Sequence, residues 1–280
     1  MDFSILIGFI SGVGLIVYGI LGSGQLLNFF DPASIAITLG GVVAATIISY
    51  PLKVFTKLPK YLKILIGKNK YNPNDYIEKI VDYAQEARRK GLLALENKAD
   101  QEEDPFLKDC VLLVVDAIEP EKARDILEND LACLEQRHQE GWQLFEKMAV
   151  FSPAFGMIGT LIGLINMLKN MGDMTSGDAA SGLGEGMSTA LITTFYGSLL
   201  ANLIFVPIAN KLRNKHNQEM LCKEMVVAGI LDIHAGVNPR HIEEKLKAYL
   251  TARERNNIGE GGEGGEGGKK SKKEKKKKEK

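Results

Sequence analysis

The chain has 280 residues, with 35 basic and 35 acidic side chains, three cysteines and a formal net charge of zero. That balance leaves no basic footprint for a nucleic-acid partner, and an odd number of cysteines argues against a disulfide framework. It also hides strong segregation. The windows Phe3–Leu21, Ala33–Tyr50, Met148–Leu168 and Met187–Ala209 contain no charged residue. Each approaches the roughly 20 residues that cross a bilayer as a helix. In lipid every backbone polar group needs an internal partner, so such runs predict membrane-spanning helices rather than buried helices of a soluble protein.

The first window has no basic flank before it and no small-x-small cleavage pattern after it, so it is expected to be retained as a helix. The connection Gly22–Pro32 carries one acid, Asp31, and no base, whereas Lys53, Lys57, Lys60 and Lys63 follow the second window closely. The connection Lys169–Gly186 has one basic residue, and Lys211, Arg213 and Lys215 follow the fourth window. The positive-inside rule then places both termini and the large middle segment in the cytoplasm of a multi-pass protein of the cytoplasmic (inner) membrane. Cys110, Cys133 and Cys222 all fall on that reducing side and read as free thiols.

The middle segment reads as helical. Asn72 before Pro73 is a cap signature, and the pattern runs on through ARRKGLLALE. From Glu121 the apolar positions Ile126, Leu127, Leu131, Leu134, Trp142, Phe145 and Met148 recur at helical spacing, which predicts one rod continuing into the third span. The fourth span continues likewise through Leu212, Met220, Met225 and Ile230 to a stop near Gly236. A short helix, HIEEKLKAYL, restarts after Asn238-Pro239. The predicted fold is all-α, with four transmembrane helices and a helical cytoplasmic domain. Its segments are 1–50 (outer spans), 51–147 (cytoplasmic domain), 148–209 (third and fourth spans with a short outer loop), 210–255 (cytoplasmic helical tail) and 256–280. The last, GEGGEGGEGG followed by KKSKKEKKKKEK, is expected to be disordered, either merely solvated or in weak contact with anionic lipid.

No phosphate-binding loop and no cysteine–histidine cluster is present, and His138, His216, His234 and His241 lack ligand spacing. No enzyme, resident metal or cofactor is therefore expected. None of the four spans contains the carboxylate that marks most ion relays. If the chain conducts ions, another chain supplies that group. What the spans do contain is small and polar. Gly156, Gly159 and Gly163 suit close helix packing. Thr160 and Thr194 are candidate ion contacts, or alternatively hydroxyls bonded to their own helix carbonyls. Pro153 and Pro207 each remove a backbone hydrogen bond and fall at one depth as read from the sequence, either as a hinge or gate or as simple bends where helices meet the membrane.

The stretches SPAFGMIGTLIGLINML, TTFYGSLLANLIFVPIANKL and ARRKGLLALE together resemble the flagellar motor stator protein MotA family, within a superfamily that includes ExbB and TolQ, and GVNPRHIEEKL is similar to it as well. The resemblance extends from the first span to about Leu250. It implies a ring of five copies around two copies of MotB, which would supply the missing membrane aspartate, with proton or sodium flow turning the ring against the rotor protein FliG. It also implies that Pro153 and Pro207 are the functional prolines, that Thr194 faces the ion site, and that Thr160 occupies a position commonly Ala in proton motors and Thr in sodium motors. Two hydroxyls at the site lean towards sodium, because a sodium ion must exchange water for protein oxygens, though either hydroxyl could equally relay protons. Arg88 and Glu96 match the charged pair that engages FliG. If both lay on one helix, eight residues would put them on one side, about 12 Å apart along the axis. Taken without the resemblance, they are equally two members of a solvated face. An ExbB-like energiser and a non-conducting membrane scaffold are the alternative functions.

Overall fold

The computed structural model describes residues 3–67, 71–172, 179–252 and 255. The Gly/Glu and Lys-rich tail lies outside the described residues, as does the centre of the connection between the third and fourth spans. Every regular element among the described residues is helical: α1 Phe3–Ser23, α2 Pro32–Ile35, α3 Gly41–Ser49, α4 Leu52–Phe55, α5 Leu58–Ile66, α6 Pro73–Lys90, α7 Glu96–Gln101, α8 Pro105–Val115, α9 Pro120–Gly172, α10 Ala179–Leu199, α11 Val206–His234 and α12 Pro239–Lys247.

One local device starts four of these helices. Asp31-Pro32, Asn72-Pro73, Asp104-Pro105 and Asn238-Pro239 each place a short polar side chain at the cap and proline in the first helical turn. The cap oxygen accepts an otherwise orphaned backbone N–H, and proline gives up no hydrogen bond there. Asn72 Oδ1 thus accepts from Asn74 N at 3.3 Å, and Asp104 Oδ1 from Phe106 N at 3.1 Å. Gly236, with φ of +70°, follows the end of α11. Its left-handed backbone suits the residue without a Cβ.

Four helical stretches are long and apolar enough to cross a membrane: Ile5–Gly22, Leu26–Ser49, and windows inside Pro120–Met171 and Gly182–His234. The rod expected from residue 121 onward exists: α9 runs unbroken for 53 residues with Pro153 in its interior. The fourth stretch is likewise continuous from α10 into α11, through a π-helical turn at Leu200–Phe205. That turn ends two residues before Pro207, whose missing N–H already interrupts the α pattern. A second π turn, Ala36–Gly40, joins α2 to α3.

The chain divides into two compact units. One comprises Met1–Asn69 with Gln136–His216; the other comprises Lys70–Glu135 with Asn217–Lys280. In the first, Val42, Tyr61, Leu65, Leu144 and Phe145 are buried together, while Ile48, Tyr18 and Ile165 stand 86%, 78% and 63% exposed. Apolar exposure on this scale marks a surface made for lipid or another subunit. In the second, Ile80, Leu107, Val111, Ile230, Ile242 and Leu246 form a sealed apolar core.

Candidate functional site

The third and fourth spans meet on glycine. A methyl group placed at Gly163 would lie 2.5 Å from the Gly186 carbonyl oxygen and 2.8 Å from Ala190 N. At Gly159 it would strike the Thr193 side chain at 2.4 Å, and at Gly156 the Thr193 carbonyl at 3.0 Å. The opposing helix answers in kind, since Gly197 faces the Ser152 carbonyl at 2.6 Å and the Pro153 Cα at 3.3 Å. Small residues on both sides let the backbones approach to a distance that larger side chains forbid. The sequence reading found Gly156, Gly159 and Gly163 but missed Gly186, Ala190 and Gly197. Their spacing of four and seven residues was the available signal.

This approach joins the two candidate threonines. Thr160 Oγ1 and Thr194 Oγ1 are 2.5 Å apart, so one hydroxyl donates to the other. Each is also 3.1 Å from the Ala190 carbonyl oxygen, and Thr193 Oγ1 is 3.0 Å from the same atom. A carbonyl oxygen has two lone pairs, so three hydroxyls cannot all donate to it at once. At least one proton must point elsewhere. Thr160 can turn to the Gly156 carbonyl at 3.1 Å, and Thr193 to that of Thr189 at 2.9 Å. The two readings of these threonines therefore coexist. Each can bond its own helix, and together they form a rearrangeable cluster of oxygens. Thr194 is exposed in the single chain, whereas Thr193 is fully buried.

The prolines are not at one level along this helix pair. Pro153 lies against Gly197, and Pro207 is ten residues further along the fourth span. At 1.5 Å per residue the offset is about 15 Å. Antiparallel spans with a proline near the cytoplasmic end of each suggest one depth, but sequence alone does not give the packing register. Pro153 lines an open cleft with Glu146, Ala201, Asn202 and Asn210 that also reaches Val206, next to Pro207, and Glu146 forms an ion pair with Arg213.

Arg88 and Glu96 belong to the second unit, and the structure corrects how they are held. The helix does not run through ARRKGLLALE. α6 stops at Lys90, Gly91 turns with φ of +85°, and a 3-10 turn, Leu92–Leu95, precedes α7. Glycine at 91 permits a backbone that side-chain-bearing residues resist, and Leu95 then plugs the core at 0% exposure. Arg88 and Glu96 thus sit on different helices, and the two-turn spacing argument does not apply. Both are exposed. Beside Arg88, Lys90 pairs with Glu86 at 2.7 Å, and that hydrogen bond holds the Glu86 carboxyl below its usual range.

A polar frame supports this corner. Glu102 accepts from Lys79 Nζ at 2.6 Å and Tyr83 Oη at 2.7 Å. Burial alone would raise its pKa, but these hydrogen bonds outweigh burial and hold it low. Burial, then the bond to Glu102, pushes the Tyr83 phenol far above its usual value. Cys110 and Cys222 are buried, and desolvation pushes the Cys222 thiol up to about 12. Neither is an activated nucleophile.

Four apolar helices, a long helix pair packed on glycine with hydroxyls at its crossing, and a separate helical unit define a polytopic helical membrane protein. Residues 98–225 match the MotA/TolQ/ExbB proton channel family. The uncharacterized protein YtxD of Bacillus subtilis is 40% identical over 90% of this chain and 92% of its own length. Motility protein A of Borreliella burgdorferi is 38% identical over 92% of this chain and 97% of its own. The solved flagellar MotAB stator complex from Bacillus subtilis superposes with a TM-score of 0.82 at 33% identity, covering 92% of this chain and 99% of that one. The chain belongs to the MotA/TolQ/ExbB family, on the side of the flagellar stator subunits, and is not an enzyme.

Proposed function

We propose that this stator subunit works as a ring of five copies in the inner membrane, with both termini cytoplasmic, around two copies of a MotB-type partner. The partner contributes the titrating carboxylate. Ion flow past it turns the ring, and the exposed Arg88 and Glu96 on the second unit push FliG. The observation that carries this reading is the Thr160–Thr194 oxygen pair, 2.5 Å apart, on a glycine-packed crossing whose spans contain no carboxylate. Such a site can relay or coordinate an ion but cannot titrate. It requires a neighbour that does.

Sodium suits the cluster better than a proton. Two hydroxyls and the Ala190 carbonyl offer several hard oxygens to an ion that must replace its water, whereas a proton needs only a hydrogen-bonded path. Membrane vesicles containing the chain with its partner test this reading. Ion flux should require both proteins, rise with external sodium at fixed potential, and lose much of that dependence in Thr160→Ala. Flux from this chain alone would sink the partner-carboxylate mechanism. Full flux without sodium would instead assign the cluster to protons.

A further inference from the structure

Sequence spacing gave the histidines no common purpose, yet the fold brings two of them together. His138 on α9 and His216 on α11 are 78 positions apart in the chain, and their Nδ1 atoms are 3.1 Å apart. The rings stand nearly perpendicular, at 87° with centroids separated by 5.3 Å. Trp142, one turn from His138, packs on His216 at 4.8 Å. His216 is buried and His138 half-buried.

We propose that His138 and His216 form a chelate for a divalent transition-metal ion, bound through the two Nδ1 atoms. Imidazole ligands sit 2.0–2.1 Å from zinc; two of them are therefore about 2.9 Å apart at a right angle and about 3.4 Å apart at the tetrahedral angle. The observed 3.1 Å falls between these limits. An ion can replace the bridging hydrogen without moving either helix. The ring that carried that hydrogen on Nδ1 then carries it on Nε2, so a neutral pair binds metal with no net change in its protons.

The surroundings tolerate a cation. Arg213, one turn before His216, is paired with Glu146 and rests over the Trp142 ring at 5.9 Å. Lys57 is paired with Glu140 at 3.5 Å, and Lys215 donates to the carbonyls of Ile64 and Gly67 at the end of α5. Trp142 fixes the orientation of the His216 ring, so little freedom is lost on binding. No group of three or more His, Cys, Asp or Glu side chains gathers as a metal site among the described residues. The chain therefore supplies two nitrogens, and water completes the shell. Nitrogen ligands favour Cu2+, Ni2+ and Zn2+ over Mg2+ and Ca2+, with copper the strongest. A bound ion would tie α9 to α11 roughly 20–30 Å along the helices from the glycine-packed crossing.

The test uses the full chain, purified without a polyhistidine tag, and Cu2+ as the probe. Wild-type protein should bind one equivalent in a site showing coupling to two nitrogens by electron paramagnetic resonance. His138→Gln keeps a hydrogen-bonding side chain at the half-buried position but offers no imidazole. It should weaken that site at least tenfold while leaving the melting temperature of the metal-free protein nearly unchanged. His216→Ala should also lose the site, whereas the double change His234→Ala with His241→Ala should retain it. Unchanged affinity and nitrogen coupling in His138→Gln, or loss of the signal in the His234/His241 double variant, would overturn the proposal.

Discussion

The two units of this chain bring helices together by opposite means. In the second, large apolar side chains such as Leu107, Ile230 and Leu246 disappear from solvent entirely. Their burial is worth about 25 cal/mol per Å2 removed from water. In the first, the helix pair at Gly156–Gly163 meets through residues with almost no side chain, and its buried polar side chains Ser152 and Thr193 are hydroxyls bonded to their own turns. Ser152 Oγ donates to the Met148 carbonyl at 2.7 Å, and Thr46 Oγ1 to that of Val42 at 2.6 Å. Lipid is as apolar as leucine, so burying leucine against a neighbouring span gains little. Close backbone contact is what remains. The difference teaches that the same word, packing, refers to area in one unit and to distance in the other.

Truncation should expose that contrast most strongly. Leu107→Ala in the second unit should cost about 2–5 kcal/mol, the usual range for a fully buried leucine. A cut on the outward face of the first unit, Ile165→Ala, should cost roughly 0.5 kcal/mol or less because that side chain is 63% exposed. Urea or thermal unfolding followed by hydrogen exchange reads both values. Equal losses would mean that the outward face of the spans is also held by buried apolar area.

Enlargement should give the reverse pattern, with a smaller effect. Gly163→Ala puts a methyl against two backbone atoms, Gly186 O and Ala190 N, which cannot rotate away. The helices must part, at a cost of about 1–3 kcal/mol. The Thr160–Thr194 contact should be lost with them, and swimming should fail in a complementation assay although the protein still inserts. Gly14→Ala meets nothing within 4 Å and should swim normally.

Much of this was legible in the residues. Charge-free windows located all four spans, unbroken periodicity from Glu121 foretold α9, and Asn72-Pro73 and Asn238-Pro239 marked two helix starts. What the sequence did not carry was register between helices. The same missing register hid the 15 Å offset of Pro153 and Pro207, the opposing Gly197, and the meeting of His138 with His216. At Arg88 and Glu96 the failure was local. Leu92, Leu93 and Leu95 continue an apolar pattern, so periodicity carried the helix through Gly91. The positive φ there, with Leu95 turned into the core, is set by tertiary packing that outweighs the pattern.

The smallest effect expected is also specific to the second unit, because it needs a buried carboxylate that the spans do not contain. Glu102 is nearly inaccessible and is held ionised by Lys79 and Tyr83. Its pKa is lowered on folding. A lowered carboxylate pKa stabilises the fold above the unfolded value, about 4.3, and that contribution fades as the pH falls through the folded value. Glu102→Gln should therefore cost about 1–2 kcal/mol at neutral pH, since Tyr83 and Lys79 lose a charged acceptor. The penalty should shrink steadily as the medium is acidified below about pH 5, where the carboxylate of the unfolded chain begins to take up the proton that the folded one still excludes. Hydrogen exchange at the amides of α6 and α8 isolates this unit from the spans and gives the comparison directly. The wild-type and variant curves should converge on the acid side. Parallel curves would mean that Glu102 is worth the same in both protonation states, and that the frame around Arg88 is held by shape and not by charge.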